Sequence, residues 1–177
     1  MDARGCRMRR RVGIQSLIGV LLAGHGLAAG GDTKEIRIAG GGLPKPIAIN
    51  DPAVAGRFRV GTGPGTFELR SDGAHITKPG PSFIVDWDRG LTSAPKGVPQ
   101  YQVSFVTGRR DKGVYVVFYS IDPSTQHGYV YIPGVQDPQY ASNTWLIARG
   151  VEGNWFHAWS AWEQVVNPLI SQALGSH

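Results

Sequence analysis

The 177-residue sequence contains 18 Lys and Arg against 13 Asp and Glu, a formal net charge of +5 at pH 7. Five of the arginines and Asp2 fall within the first 30 residues, so residues 31–177 carry 13 basic and 12 acidic side chains, a net charge of +1. A segment so nearly neutral lacks the basic excess that attracts phosphate backbones, which excludes nucleic-acid binding as a leading function.

Residues 1–30 have the three-part pattern of a secretory signal peptide. Arginines precede an apolar stretch from Val12 to Leu27, and small residues follow at positions 28–30. The apolar stretch falls short of the roughly 20 residues that a membrane span requires. We therefore predict a cleavable signal peptide over 1–30 and one exported domain over 31–177, periplasmic or extracellular and without a transmembrane anchor after cleavage. Because Cys6 is the only cysteine, that domain would contain no disulfide and no cysteine nucleophile.

The segment from residue 31 to residue 99 is rich in glycine and proline and contains only short extended pieces. Asp51 as N-cap, Pro52 at the first helical position and Gly56 as terminator predict one helical turn within it. Irregular β segments are predicted at residues 34–40, 45–50, 57–61, 66–71 and 82–88.

From Tyr101 onward the sequence consists of alternating or apolar runs separated by short turns, which is typical of an antiparallel meander. The predicted strands cover residues 101–107, 114–121, 129–134, 143–149 and 154–159.

The last part of the sequence changes to helical periodicity. Ser160 and Glu163 match a capping box at a helix start. Pro168 predicts either a kink or a restart of the helix with Asn167 as its new cap. One apolar stripe follows the spacing of an α-helix: Trp162, Val165, Val166, Leu169, Ile170 and Leu174. We predict an α+β fold, in which an antiparallel β-meander with irregular N-terminal β segments is covered on one sheet face by this C-terminal amphipathic helix.

Alternation along the strands predicts which side chains share a sheet face, because residues two apart point the same way. We expect Val114, Val116 and Phe118 to lie under the helix. The other face would carry aromatic side chains with polar tips, suited to binding a ligand. An alternative is simple packing, since strands favour Tyr and Trp regardless of function. The candidate binding residues are Tyr115, Tyr119, Tyr129, Tyr131, Trp145, Trp155, His157 and Trp159.

Asp86 and Asp88 lie two apart in the run that also contains Trp87, and we add Asp86 and Trp87 to the candidate binding residues. Two carboxylates could perform acid–base chemistry, but Asp before Arg-Gly is also ordinary turn chemistry. His127 and His157 are not spaced as metal ligands, so we predict no metal site. The glycine-rich segments do not match a phosphate-binding loop, and we predict no cofactor.

Three stretches of the chain resemble a family of small exported bacterial proteins of no assigned function. The pattern is Gly-Leu-x-x-Pro-Ile, then Asp-Trp-x-x-Gly, then Gly-Tyr-Val-Tyr-Leu-Pro-Gly. It matches Gly42, Leu43, Pro46 and Ile47, then Asp86, Trp87 and Gly90, then residues 128–134 with Ile132 in place of Leu. The resemblance implies export and one compact domain, and it implies no particular chemistry.

These observations favour an exported, non-enzymatic protein that binds a small molecule or an envelope protein through its aromatic sheet face. One alternative is a small exported hydrolase that uses Asp86 with His127 or His157. Another is a structural or assembly protein of the cell envelope.

Overall fold

A computed structural model describes residues 33–58, 68–69, 75–76, 82–93, 95–108, 113–144 and 151–176. The predicted signal peptide and Trp145 lie outside these residues. The strands are β1 (Thr33–Gly40), β2 (Ile47–Ile49), β3 (Glu68–Leu69), β4 (His75–Ile76), β5 (Leu91–Thr92), β6 (Gln100–Thr107), β7 (Val114–Ile121), β8 (Gly128–Ile132) and β9 (Asn154–His157). The helices are α1 (Pro52–Ala55), α2 (Tyr140–Asn143) and α3 (Ser160–Gly175).

Seven strands form one antiparallel sheet in the order β2-β1-β6-β7-β8-β9-β5, and β3 pairs with β4 separately. The run β6-β7-β8-β9 is the predicted meander, and with α3 it confirms the predicted α+β class. The N-terminal strands β1 and β2 extend the same sheet beyond β6, so they lie beside the meander.

The strand predicted over 143–149 is wrong at its start, because Asn143 belongs to α2. β8 ends at Ile132, and its pairing with β7 reaches only Phe118. The main chain of Val116 therefore lies beyond the end of β8. The Asn143 side chain supplies the hydrogen bonds at this position. Its Oδ1 accepts from the Val116 amide at 2.7 Å, and its Nδ2 donates to the Val116 carbonyl at 2.7 Å. Asn143 satisfies both buried backbone groups, which explains why this polar residue is itself buried.

The helical turn α1 forms as predicted. The Asp51 side chain accepts from the Ala53 amide at 2.9 Å, Pro52 begins the helix and Gly56 follows its end. The turn brings Phe58 into the hydrophobic core beneath α3.

Helix α3 seals the core through its predicted apolar stripe. Trp162, Val166 and Ile170 are buried, whereas Leu174 near the end is 42% exposed. The Trp162 ring contacts three other rings at centroid distances of 4.9 Å to Phe58, 5.7 Å to Phe105 and 6.0 Å to Tyr119. Within the described part of the chain, no helix is both long and apolar enough to span a membrane.

The predicted capping box does not form. The N-cap of α3 is Trp159, which makes no side-chain cap, and the Glu163 carboxylate accepts from Gly128 in the sheet instead. The helix also does not restart at Asn167, because α3 is one helix with Pro168 inside it. The Asn167 side chain is held by tertiary contacts, accepting from the Tyr119 hydroxyl at 2.7 Å and donating to the Gln126 carbonyl at 2.9 Å.

Replacing Trp162 by alanine should cost about 3–5 kcal/mol of unfolding free energy, because it removes a fully buried indole and leaves a cavity between three rings. Chemical denaturation followed by far-UV circular dichroism measures this loss. Leu174→Ala is the matched control on the same helix and should change stability by less than about 0.5 kcal/mol. Equal effects of the two substitutions would contradict the packing described here.

Candidate functional site

The expected face assignment of β7 is wrong. Tyr119 lies opposite Val130 and Phe118 lies opposite Tyr131, so Tyr119 points to the α3 side of the sheet. Tyr115 lies four residues before Tyr119 in the same strand and therefore points to the same side. Their exposed fractions are 2% for Tyr115 and 0% for Tyr119, and burial raises the pKa of both phenols. These two tyrosines are core residues and do not contribute to a binding face.

The opposite sheet face carries a row of partly exposed aromatic side chains, which we call the aromatic surface. Its rings pair across neighbouring strands at centroid distances of 6.3 Å for Phe118–Tyr131, 5.2 Å for Tyr131–Trp155 and 5.5 Å for Tyr129–His157. The register places each pair directly opposite. Alternation correctly grouped Tyr129, Tyr131, Trp155 and His157, whereas Phe118 was assigned to the wrong face.

Two other candidate residues do not join this surface. Trp87 packs against Phe156 on the core side of β9, with ring centroids 5.1 Å apart. Trp159 follows β9 as the N-cap of α3, and its amide donates to the Ile84 carbonyl at 2.9 Å. Trp145 lies outside the described residues.

Tyr131 is held in place by the loop that follows β8. Its hydroxyl donates to Oδ2 of Asp137 at 2.7 Å, and the same oxygen accepts from the Gly134 amide at 2.7 Å. Desolvation, followed by the contact with Asp137, raises the pKa of Tyr131. The phenol therefore stays protonated and anchors the middle of the aromatic surface.

Asp86 forms the predicted turn. Its Oδ1 accepts from the Asp88 amide at 3.1 Å and from the Arg89 amide at 3.3 Å, while its own amide donates to the His157 carbonyl at 2.9 Å. Among the contacts of the described residues, the Asp86 carboxylate has no hydrogen bond to either histidine. The structure therefore does not support a hydrolytic pair of Asp86 with His127 or His157.

A different carboxylate reaches the histidines. Oε1 of Glu163 lies 2.9 Å from Nδ1 of His127 and also accepts from the Gly128 amide at 2.7 Å. Nε2 of His127 lies 2.6 Å from the Arg89 guanidinium and 3.1 Å from Nδ1 of His157. We call these four side chains, Arg89, His127, His157 and Glu163, the histidine cluster.

The hydrogen bonds of the cluster define which ring nitrogen of His127 is the acceptor. Arg89 can only donate, so Nε2 of His127 must be an unprotonated acceptor. His127 then carries its proton on Nδ1 and donates it to Glu163. Nδ1 of His157 lies 3.1 Å from the same Nε2, whose single lone pair already accepts from Arg89 at 2.6 Å.

His157 is neutral at neutral pH. Partial burial lowers its pKa, the positive charge of Arg89 and the neighbouring His127 lower it further, and Asp86 opposes them. Because the ordinary pKa of histidine is about 6.5, this imidazole stays unprotonated above that value and somewhat below it.

The cluster does not fit a metal ion. Across the described ranges no group of three His, Cys, Asp or Glu side chains is arranged to hold one. The Arg89 guanidinium also occupies the ring nitrogen of His127 that faces His157. A shallow depression of about 350 Å³ adjoins the cluster, lined by Gln126, Glu163, Gln164, Asn167, Pro168 and Ser171.

Sequence reasoning missed Arg89 and Glu163 as members of the site. Arg89 was assigned to the turn after Asp86, and Glu163 to a helix cap. The available signal was the position of α3 in the sequence. Only two residues separate the end of β9 from the start of α3, so the first turn of the helix lies next to the start of β8.

Comparison with known proteins adds no assignment. No protein-family model matches the chain, and neither a curated protein nor a solved structure shows significant similarity to it.

Arg89→Gln should raise the pKa of His157, because it removes a positive charge that disfavours the imidazolium. NMR titration of the imidazole signals measures the midpoint. Arg37→Gln is the control, because Arg37 pairs with Glu35 on β1. An unchanged His157 midpoint in the Arg89 variant would contradict the geometry of the cluster.

Proposed function

We propose that this is an exported protein that binds a ligand through the aromatic surface of Phe118, Tyr129, Tyr131, Trp155 and His157. The observation that carries the proposal is the row of partly exposed rings that crosses β7, β8 and β9 on the face away from α3. Export rests on the predicted signal peptide.

These rings do not belong to the hydrophobic core. The opposite face already has its own aromatic centre around Trp162, which is fully buried. Rings with apolar bodies and hydrogen-bonding tips that remain partly exposed are typical of ligand sites and interfaces.

The polar groups at the surface are also pre-organised. Asp137 fixes the Tyr131 hydroxyl, and the His157 ring lies beside His127, with 3.1 Å between Nδ1 of His157 and Nε2 of His127. Binding therefore would not have to order these side chains, which lowers its entropic cost.

The double variant Trp155→Ala/Tyr131→Ala should weaken ligand binding by roughly 30-fold, the effect expected from losing two aromatic anchors, while changing the melting temperature little. We suggest isothermal titration of the full chain with maltohexaose, chitohexaose, decaproline and oleate. These probes represent sugars, peptides and lipids that use aromatic surfaces.

Leu174→Ala, an exposed apolar change on α3, is the control and should bind as the wild type does. A large fall in melting temperature for the double variant would show that the rings are packing. Wild-type affinity in the double variant would remove the aromatic surface from recognition. Failure of every probe class to bind would count against a small-molecule ligand and favour the assembly role in the envelope.

A further inference from the structure

One ring nitrogen of His127 lies within hydrogen-bonding distance of two competing side chains. Nε2 is 2.6 Å from the Arg89 guanidinium and 3.1 Å from Nδ1 of His157. An imidazole nitrogen carries either one lone pair or one proton, so it makes one good hydrogen bond at a time. The two contacts are therefore alternatives, and the protonation of His127 determines which one forms.

Neutral His127 binds Arg89. Its Nδ1 proton faces the Glu163 carboxylate at 2.9 Å, which leaves the lone pair on Nε2. A guanidinium carries five donors and no acceptor, so Arg89 can donate to that lone pair. This hydrogen bond joins the turn that follows Asp86 to the turn that precedes β8, and its two residues are 38 positions apart in the sequence.

Protonated His127 binds His157 instead. Both nitrogens of an imidazolium are donors, so Nε2 can no longer accept from Arg89, and the two positive charges repel each other. Nδ1 of a neutral His157 that carries its proton on Nε2 can accept the new proton. Partial burial and the nearby positive charge of Arg89 lower the pKa of His157, which favours this neutral form as the acceptor.

The charges closest to His127 favour the exchange. The Glu163 carboxylate on α3 lies beside Nδ1 and stabilises the imidazolium. The Arg89 guanidinium opposes protonation as long as it remains at Nε2, and moving it away removes that opposition. Protonation of His127 and release of Arg89 therefore favour each other.

Two further carboxylates lie nearby. Asp86, on the same segment as Arg89, opposes the lowering of the pKa of His157. Asp122 lies on the same turn as His127 and is held by hydrogen bonds within that turn. Among the described residues, neither carboxylate accepts a hydrogen bond from an imidazole.

We infer that Arg89, His127 and His157 form a pH-sensitive latch. When His127 is neutral, it holds Arg89 and so fastens the segment that contains β5 to the turn before β8. When His127 is protonated, it binds His157 and releases Arg89. The inference does not depend on the aromatic surface binding a ligand.

The segment that Arg89 fastens is otherwise weakly held. β5 is the outermost strand on its side of the sheet and pairs with β9 through two residues, Leu91–Thr92. Leu91 is 65% exposed. Loss of the Arg89 hydrogen bond should therefore open residues 88–92, whereas Trp87 keeps its packing against the core.

Amide hydrogen exchange of the full chain at pH 8 and pH 5 measures this opening, because histidine changes its charge between these values. After correction for the intrinsic exchange rates, residues 88–92 should exchange roughly tenfold faster at pH 5, the smaller effect expected from losing a hydrogen bond to a charged group. His127→Gln cannot take a proton and should remove the pH response.

Arg89→Met lacks the guanidinium and should exchange rapidly over residues 88–92 at both pH values, which provides a second variant if His127→Gln does not fold. Arg37→Gln is the matched control, because Arg37 is an arginine on β1 that pairs with Glu35. It should keep the wild-type response to pH.

NMR of the ring nitrogens separates the latch from a general effect of acid. Acidification should protonate Nε2 of His127 while His157 stays neutral with its proton on Nε2. Glu163→Gln should lower the pH at which His127 takes that proton, because the adjacent negative charge is gone.

Equal protection of residues 88–92 at the two pH values in the wild type would overturn the inference. So would a wild-type pH response in folded His127→Gln, or protonation of His157 before His127.

Discussion

The antiparallel register of β7, β8 and β9 is the constraint on which the rest of the molecule depends. Pairing Tyr119 with Val130 and Tyr131 with Phe118 sends adjacent aromatic residues of these strands to opposite faces. A slip by one residue would exchange the faces of every side chain in a strand. The same register pairs Tyr129 with His157, which brings that histidine beside the turn that carries His127.

Helix α3 links the two sides of this arrangement. Trp162 fills the centre of the core, and the next residue, Glu163, reaches across the start of β8 to Gly128 and His127. Position 128 requires glycine, because a Cβ there would overlap the Tyr119 side chain. The position of α3 on the sheet therefore determines both the packing of the core and the orientation of His127.

Much of the fold follows from local sequence signals. The β6-to-β8 strands, the α1 turn and the stripe of α3 each rest on periodicity or capping within a few residues. The face of β7 could not be predicted, because both of its faces are apolar and alternation cannot say which one meets the helix. Glu163 matched a local capping pattern. The residues near it in the sequence do not indicate that its carboxylate pairs with the imidazole of His127, 36 residues earlier in the chain.

The site shows the same division between local and distant information. Tyr129, Tyr131, Trp155 and His157 share a face because each pair is two apart in one strand. Arg89 joins the cluster only through the pairing of its segment with β9, which lies far away in the sequence.

The most direct test of the account is hydroxyl-radical footprinting of the folded full chain, read by mass spectrometry at individual aromatic residues. The account predicts oxidation of Tyr129, Tyr131 and Trp155, with Tyr119 and Trp162 protected. Equal modification of Tyr119 and Tyr131 would contradict the separation of the two sheet faces, and with it the existence of a distinct aromatic surface.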